Sequence, residues 1–153
     1  MKDAGRTHGG FYAHFASRDA LVVEAVDAAA AQSLEALGKA VDGAAPLGAL
    51  LDRYLSDRHA DAPETGCTLA ALGSETRRQA PAVRKVTTRR TKELIELVSR
   101  ALRGRGKPGT HDDALAVLSC MVGALVVSRA IDDPALAKSI RAAARHFITA
   151  HAG

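Results

Sequence analysis

Several residue types are scarce in this 153-residue sequence, and each shortage excludes a class of protein. Tryptophan is absent and aromatic residues make up only 3% of the chain, so the core must come mainly from Ala, Leu and Val, a composition that favours helices. The two cysteines, Cys67 and Cys120, fit neither a disulfide scaffold nor a metal-binding spacing. We therefore expect reduced thiols, no bound metal, and a core that folds without covalent staples.

Long uncharged runs are also missing. The longest covers residues 114–128, and its 15 residues are fewer than the roughly 20 that a bilayer crossing needs. The N-terminal residues do not show a signal peptide's basic region followed by an apolar stretch. These features predict a cytoplasmic protein without a membrane segment.

Motifs of common enzyme classes are absent as well. The sequence contains no P-loop, no nucleophile elbow, no His-Glu-x-x-His zinc motif and no helix with paired catalytic carboxylates. We therefore expect a protein that is not an enzyme and that uses no cofactor.

Apolar residues recur throughout at helical spacing, and no stretch alternates as a strand would. The sequence predicts an all-α chain with about six substantial helices. Ser17 is a suitable N-cap for a long helix that ends near Asp42, Pro46 begins the next helix, and a shorter helix covers about residues 67–79. Three further helices are expected to start at Pro81, at Thr110 and beyond Asp132.

The helix over residues 114–128 is apolar on every side, so it needs packing partners on more than one side. Ser119 and Gly123 lie four residues apart and would let another helix approach closely. We expect this helix to face its own core and also a second subunit, through a two-fold interface that includes the terminal helix.

Basic residues are concentrated in residues 77–107, where eleven Lys or Arg stand against two Glu. A basic stretch of this kind can indicate nucleic-acid binding. Here the charges alternate with the apolar positions of a helix, which favours a solvated helix face.

Residues 7–15 contain three of the five aromatic side chains of the chain, beside two glycines. Gly5 can end one helix, Thr7 can cap a helix of two turns, and Ser17 caps the next. A short helix after a glycine-containing turn is typical of the second half of a helix-turn-helix. Phe11 and Phe15, four residues apart, would then face inward.

The stretch "AGRTHGGFYAHFASRDALVVEA" resembles the DNA-binding head of the TetR (tetracycline-repressor-like) family of regulators. Further on, "RYLSDRHADAPETGCTLAALGSE" resembles part of the ligand-binding body of a TetR subfamily. The resemblance implies an all-α fold in which a helix-turn-helix head and connecting helix, residues 1–42, precede a helical ligand-binding and dimerisation body, residues 43–153.

The resemblance also implies roles for individual residues. It assigns DNA contacts to a set of residues in the head, with bases read near the N-terminus of the recognition helix and phosphates held around it: Thr7, His8, Gly9, Gly10, Tyr12, His14 and Arg18. In the body we consider four residues as ligand-binding candidates: Tyr54, His59, Cys67 and Met121. For Tyr54 and Met121 the alternative is plain core packing, and Cys67 is either a thiol sensor or a small buried residue.

These observations predict a ligand-responsive repressor that binds double-stranded operator DNA as a homodimer and is released by a small-molecule effector. Compared with the family pattern, the sequence begins inside the second helix of the helix-turn-helix. We therefore also expect, as the alternative, a headless ligand-binding or dimerisation protein that no longer binds DNA.

Overall fold

A computed structural model of the protein describes residues 15–103 and 110–152. Seven α-helices and one 3-10 turn occupy these ranges, in the order α1 Arg18–Val41, α2 Pro46–Tyr54, α3 Asp57–Asp61, the 3-10 turn Pro63–Thr65, α4 Thr68–Thr76, α5 Pro81–Arg103, α6 His111–Ala130 and α7 Pro134–His151. Neither range contains a β-strand. The all-α prediction is confirmed, and the helix-turn-helix and the TetR-like body remain predictions.

The helices begin where the sequence supplies N-caps. Ser17 Oγ accepts a hydrogen bond from the Ala20 N–H at 3.1 Å, which starts α1. Thr110 and Asp113 form a reciprocal capping box at the start of α6. These side chains satisfy N–H groups that the first helical turn leaves without partners, so both predicted helix starts are confirmed.

The core lies among α1, α2, α5, α6 and α7, and its most enclosed side chains include Leu50, Leu51, Tyr54, Val98, Met121 and Leu125. Helix α1 packs most extensively against α5, and α6 packs along α7. The apolar face predicted for α1 is buried chiefly toward its C-terminal end, where Leu37 and Val41 enter the core. Val22 and Val26, nearer the start of α1, are only half-buried.

Helix α6 is the most apolar helix of the described ranges. It is 20 residues long with a hydropathy of 1.7, and in residues 15–103 and 110–152 it alone is long and apolar enough to cross a membrane. The core helix of a soluble protein has the same composition, and α6 sends seven residues into the core. One such helix does not make the described part of the chain a multi-span membrane protein.

Helix α6 is not covered on every side, because Leu115, Val126 and Val127 are exposed. A Cβ added at Gly123 would meet no atom of the described residues within 4 Å. The close approach predicted at Ser119 and Gly123 is therefore not made by the described helices of this chain.

Three features differ from the sequence-based prediction, the first being that α4 ends at Thr76 and not near residue 79. Helix α6 ends at Ala130, two residues before the expected Asp132, and the segment after Tyr54 contains the five-residue helix α3 that the pattern did not predict. In the basic stretch, Arg84, Lys85 and Arg100 are exposed on α5, as a solvated helix face requires.

Candidate functional site

The second TetR-like stretch folds into a compact cluster of polar groups where α2, α3, α4 and α6 meet. Tyr54 ends α2 with its side chain fully buried. Ser56 then begins α3, because its Oγ accepts from the His59 N–H at 3.1 Å and donates to the Arg53 carbonyl at 2.9 Å. This tight turn brings the His59 ring edge-on to the Tyr54 ring, with 4.8 Å between the ring centroids.

Both ring nitrogens of His59 are engaged. Nδ1 lies 2.6 Å from the Tyr54 carbonyl oxygen, and Nε2 accepts from the Cys67 N–H at 3.0 Å. A carbonyl requires a donor and an N–H requires an acceptor, so the ring is neutral with its proton on Nδ1. Burial lowers the pKa of His59 and outweighs the Tyr54 carbonyl, which raises it, while the Arg129 and Arg53 cations lower the pKa further.

Gly66 is required here for space. A Cβ at this position would lie 2.5 Å from His59 Nε2, closer than real Cβ contacts allow. The backbone angles of Gly66, φ −99° and ψ −160°, are open to other residues. Cys67 follows as the N-cap residue of α4 and donates its backbone N–H, not its thiol, to His59.

Arg129, near the end of α6, fastens α3 to the rest of the protein. Its Nε donates to the Ala60 carbonyl at 3.1 Å, and its Nη2 donates to the His59 carbonyl at 2.5 Å. These carbonyls lie at the end of a five-residue helix that cannot pair them internally. We refer to Tyr54, His59, Gly66, Cys67 and Arg129 as the His59 cluster.

The Tyr54 hydroxyl is buried without a hydrogen-bond partner of normal geometry among the described residues. Burial raises its pKa well above the usual value, and the neighbouring Cys67 thiol acts in the same direction. The cluster is not arranged as a nucleophile–base pair, since His59 Nε2, the nitrogen that could act as the base, already accepts a hydrogen bond from the Cys67 backbone N–H. Its hydrogen bonds hold a loop in place.

The four ligand-binding candidates of the body are thus partly brought together. Tyr54, His59 and Cys67 belong to the His59 cluster, and Met121 is a fully buried core residue of α6. Cys67 also lines a cavity of about 20 Å³ between α1, α4 and α5, which is room for about one water molecule. Among the residues in 15–103 and 110–152, no group of three or more His, Cys, Asp or Glu could hold a metal ion.

A larger cavity, which the sequence did not reveal, opens between α4, α5 and α6. This apolar groove has a volume of about 540 Å³, and its lining includes Leu69, Gly73, Ile95, Leu118, Val122 and Gly123. None of the four candidate residues lines it. The four-residue spacing of Ser119 and Gly123 on α6 was the signal that could have pointed to it.

Of the seven residues assigned to DNA contacts, Thr7, His8, Gly9, Gly10, Tyr12 and His14 lie outside the described residues. Arg18 is the first residue of α1 and is exposed, directly after the Ser17 cap.

No protein-family model matches the chain, and no curated protein is significantly similar to it. The resemblance to TetR regulators therefore depends on the quoted residues alone.

Proposed function

We propose that this protein is a ligand-responsive transcriptional repressor of the cytoplasm that binds operator DNA as a homodimer. Residues 7–18 support the DNA-binding part through their pattern of small, aromatic and basic side chains. The described helices support effector binding through an apolar groove, and they support dimerisation through an exposed apolar surface. No catalytic step is needed for this function.

The observation that carries the proposal is the connection between α1 and α5. Helix α1 follows directly on the candidate DNA-binding segment. Its packing against α5 is the most extensive between any two described helices. Asp27 of α1 accepts from Arg89 Nη2 at 2.6 Å and also from Arg90 Nε. The hydrogen bond from Arg90 is the main reason that the pKa of Asp27 lies below its usual value.

The apolar groove suits a small effector. Its volume of about 540 Å³ falls within the roughly 300–1,000 Å³ of small-molecule sites, and most of its side chains are apolar. Thr91 and Ile95 bring α5 into the wall of the groove. An effector that fits only one position of α5 would shift the population of α1 orientations, and with it the spacing of the two DNA-binding segments.

The exposed side of α6 and α7 supports the dimer. Val127 on α6 and Phe147 on α7 are 48% and 55% exposed, and Leu136 is 50% exposed. Large apolar side chains exposed on adjacent helices mark an interaction surface. A second copy using the same surface would give a two-fold interface and present two heads to successive major-groove half-sites, roughly 34–36 Å apart.

Duplex binding by the full chain tests the proposal. DNA fragments selected from a random pool should bind the protein, and the affinity should fall steeply as salt rises, because phosphate contacts release counterions. Arg18→Gln should weaken binding to all sequences and reduce the salt slope by about one.

The matched control is Arg78→Gln, which removes an exposed cation whose one ion pair within the described ranges is with Glu75. It should leave DNA affinity unchanged. If no fragment shows a salt-sensitive shift, the repressor proposal is wrong, and the alternative of a ligand-binding or dimerisation protein without DNA binding takes its place.

A further inference from the structure

A second groove, separate from the apolar one, opens between α3, the 3-10 turn, the end of α6 and the start of α7. Its volume is about 600 Å³. Six charged side chains line it, three basic and three acidic: Arg129, Lys138, Arg141, Asp57, Asp61 and Asp132. We call this cavity the Arg141 groove.

Arg141 of α7 is the most unusual of these residues, since it is charged and yet only 6% exposed. Arginine is seldom buried to this extent unless its donors are satisfied. Its Nη2 donates to Asp57 Oδ1, but its Nε makes no hydrogen bond within the described residues. The guanidinium is held by one carboxylate oxygen and has a free donor beside that contact.

Arg129, which also lines the groove, has an unpaired donor as well. Its Nε and Nη2 are taken by the Ala60 and His59 carbonyls, while its Nη1 is buried and has no hydrogen-bond partner among the described residues. Two arginines of one groove thus each retain an unpaired nitrogen. Buried guanidinium nitrogens favour an acceptor that carries negative charge.

The charges of the groove limit which anion fits. Lys138, Asp61 and Asp132 form no ion pair within residues 15–103 and 110–152. The three carboxylates carry as much charge as the three cations, so the groove has no surplus positive charge to offset a multivalent phosphate, and a single carboxylate suits it better. A planar carboxylate also matches the side-on edge formed by Nε and Nη2 of a guanidinium.

We propose that the Arg141 groove binds the carboxylate of a small monocarboxylic molecule, with Arg141 as the principal contact and Arg129 as the second. Asp57 occupies one position of the Arg141 edge and is therefore an internal competitor of the ligand. Its side chain is 64% exposed, so it can move aside into water. This site does not depend on DNA binding or on the apolar groove.

Calorimetric titration of the full chain with sodium butyrate, at constant ionic strength, tests the proposal. The wild type should bind butyrate saturably and inorganic phosphate more weakly. Arg141→Gln should weaken butyrate binding about tenfold or more, a loss of about 1.4 kcal/mol. Asp57→Asn should strengthen binding several-fold, because the competing carboxylate is gone, and this gain cannot come from misfolding.

Arg145 and Asp52 provide the matched controls, since they form the neighbouring ion pair between α7 and α2, at 2.7 Å. Arg145→Gln and Asp52→Asn should leave butyrate affinity unchanged. Absence of saturation, phosphate binding as tightly as butyrate, or an Asp57→Asn variant no better than wild type would each overturn the proposal. If Arg141→Gln does not fold, the gain in affinity expected of Asp57→Asn remains the test.

Discussion

His59 Nε2 accepts a hydrogen bond from the backbone N–H of Cys67 at 3.0 Å, and this bond joins α3 to the N-cap residue of α4. It exists only while the ring is neutral. Its partner on the other side, the Tyr54 carbonyl, fixes the proton on Nδ1. The loop between α3 and α4 therefore depends on the protonation state of one imidazole.

Stability should consequently fall in mild acid. The folded-state pKa of His59 lies below the ordinary value of 6.5, chiefly because of burial, so folding favours the neutral ring. The stabilisation that comes from the neutral His59 ring is complete above about pH 6.5, and it is lost as the pH falls toward the folded-state pKa of His59. Urea denaturation at several values between about pH 7 and pH 5 should show a falling free energy of unfolding.

His59→Gln is the control for this pH dependence. The variant should be less stable than wild type at neutral pH, yet its free energy of unfolding should change less over the same pH interval. An equal slope in both proteins would show that another group is responsible.

Gly66→Ala should destabilise the fold by about 1–3 kcal/mol, because the added Cβ must displace the His59 ring. The matched variant is Gly48→Ala in α2, where a Cβ meets nothing within 4 Å. Gly48 is the third residue of α2, and alanine, a better helix former than glycine, should stabilise there by up to about 0.5–1 kcal/mol. Urea midpoints that move in the same direction for both variants would contradict the packing argument.

The apolar groove should be closed by Gly73→Leu. A Cβ at Gly73 makes only an ordinary 3.6 Å contact with Leu69 Cδ1, so a larger side chain can enter the groove from α4. Binding of an apolar fluorescent probe should weaken about tenfold. Gly48→Leu, in open space on α2, should leave probe binding unchanged, and equal losses in both variants would point to a general effect on the fold.

Phe147→Glu should convert the proposed dimer into a monomer, because a carboxylate would be buried against the second copy. Ala142→Glu is the control, since it is also exposed and lies about 140° around α7 from Phe147. Sedimentation velocity separates the two states. A wild type that sediments as a monomer at high concentration would refute the dimer.

The sequence predicted most helices, because their starts are encoded locally. The Ser17 cap and the Thr110–Asp113 box lie within a few residues of the groups that they satisfy. Helix α3 was not predictable in this way. It is only five residues long, and Arg129 holds its carbonyls from about 70 positions further along the chain.

The sites were predicted less well than the helices, for the same reason. The pattern around His59 and Cys67 correctly drew attention to residues that lie together, but their shared task, holding a loop, depends on which atoms meet. Both large grooves are formed by helices distant in sequence. Arg141 lies at helical spacing from the buried residues Ala137 and Ala144, but the carboxylate that it contacts, on Asp57, is 84 positions earlier in the chain.

Arg129 takes part in two arrangements at once, since two of its nitrogens hold α3 and the third lies unpaired at the Arg141 groove. A genetic screen for loss of groove function would therefore recover Arg129 variants that have lost the α3 loop. The Asp57→Asn variant, which leaves both hydrogen bonds from Arg129 to α3 in place, would separate recognition from folding. Arg129 is thus a poor genetic target for the groove, although it lines that cavity.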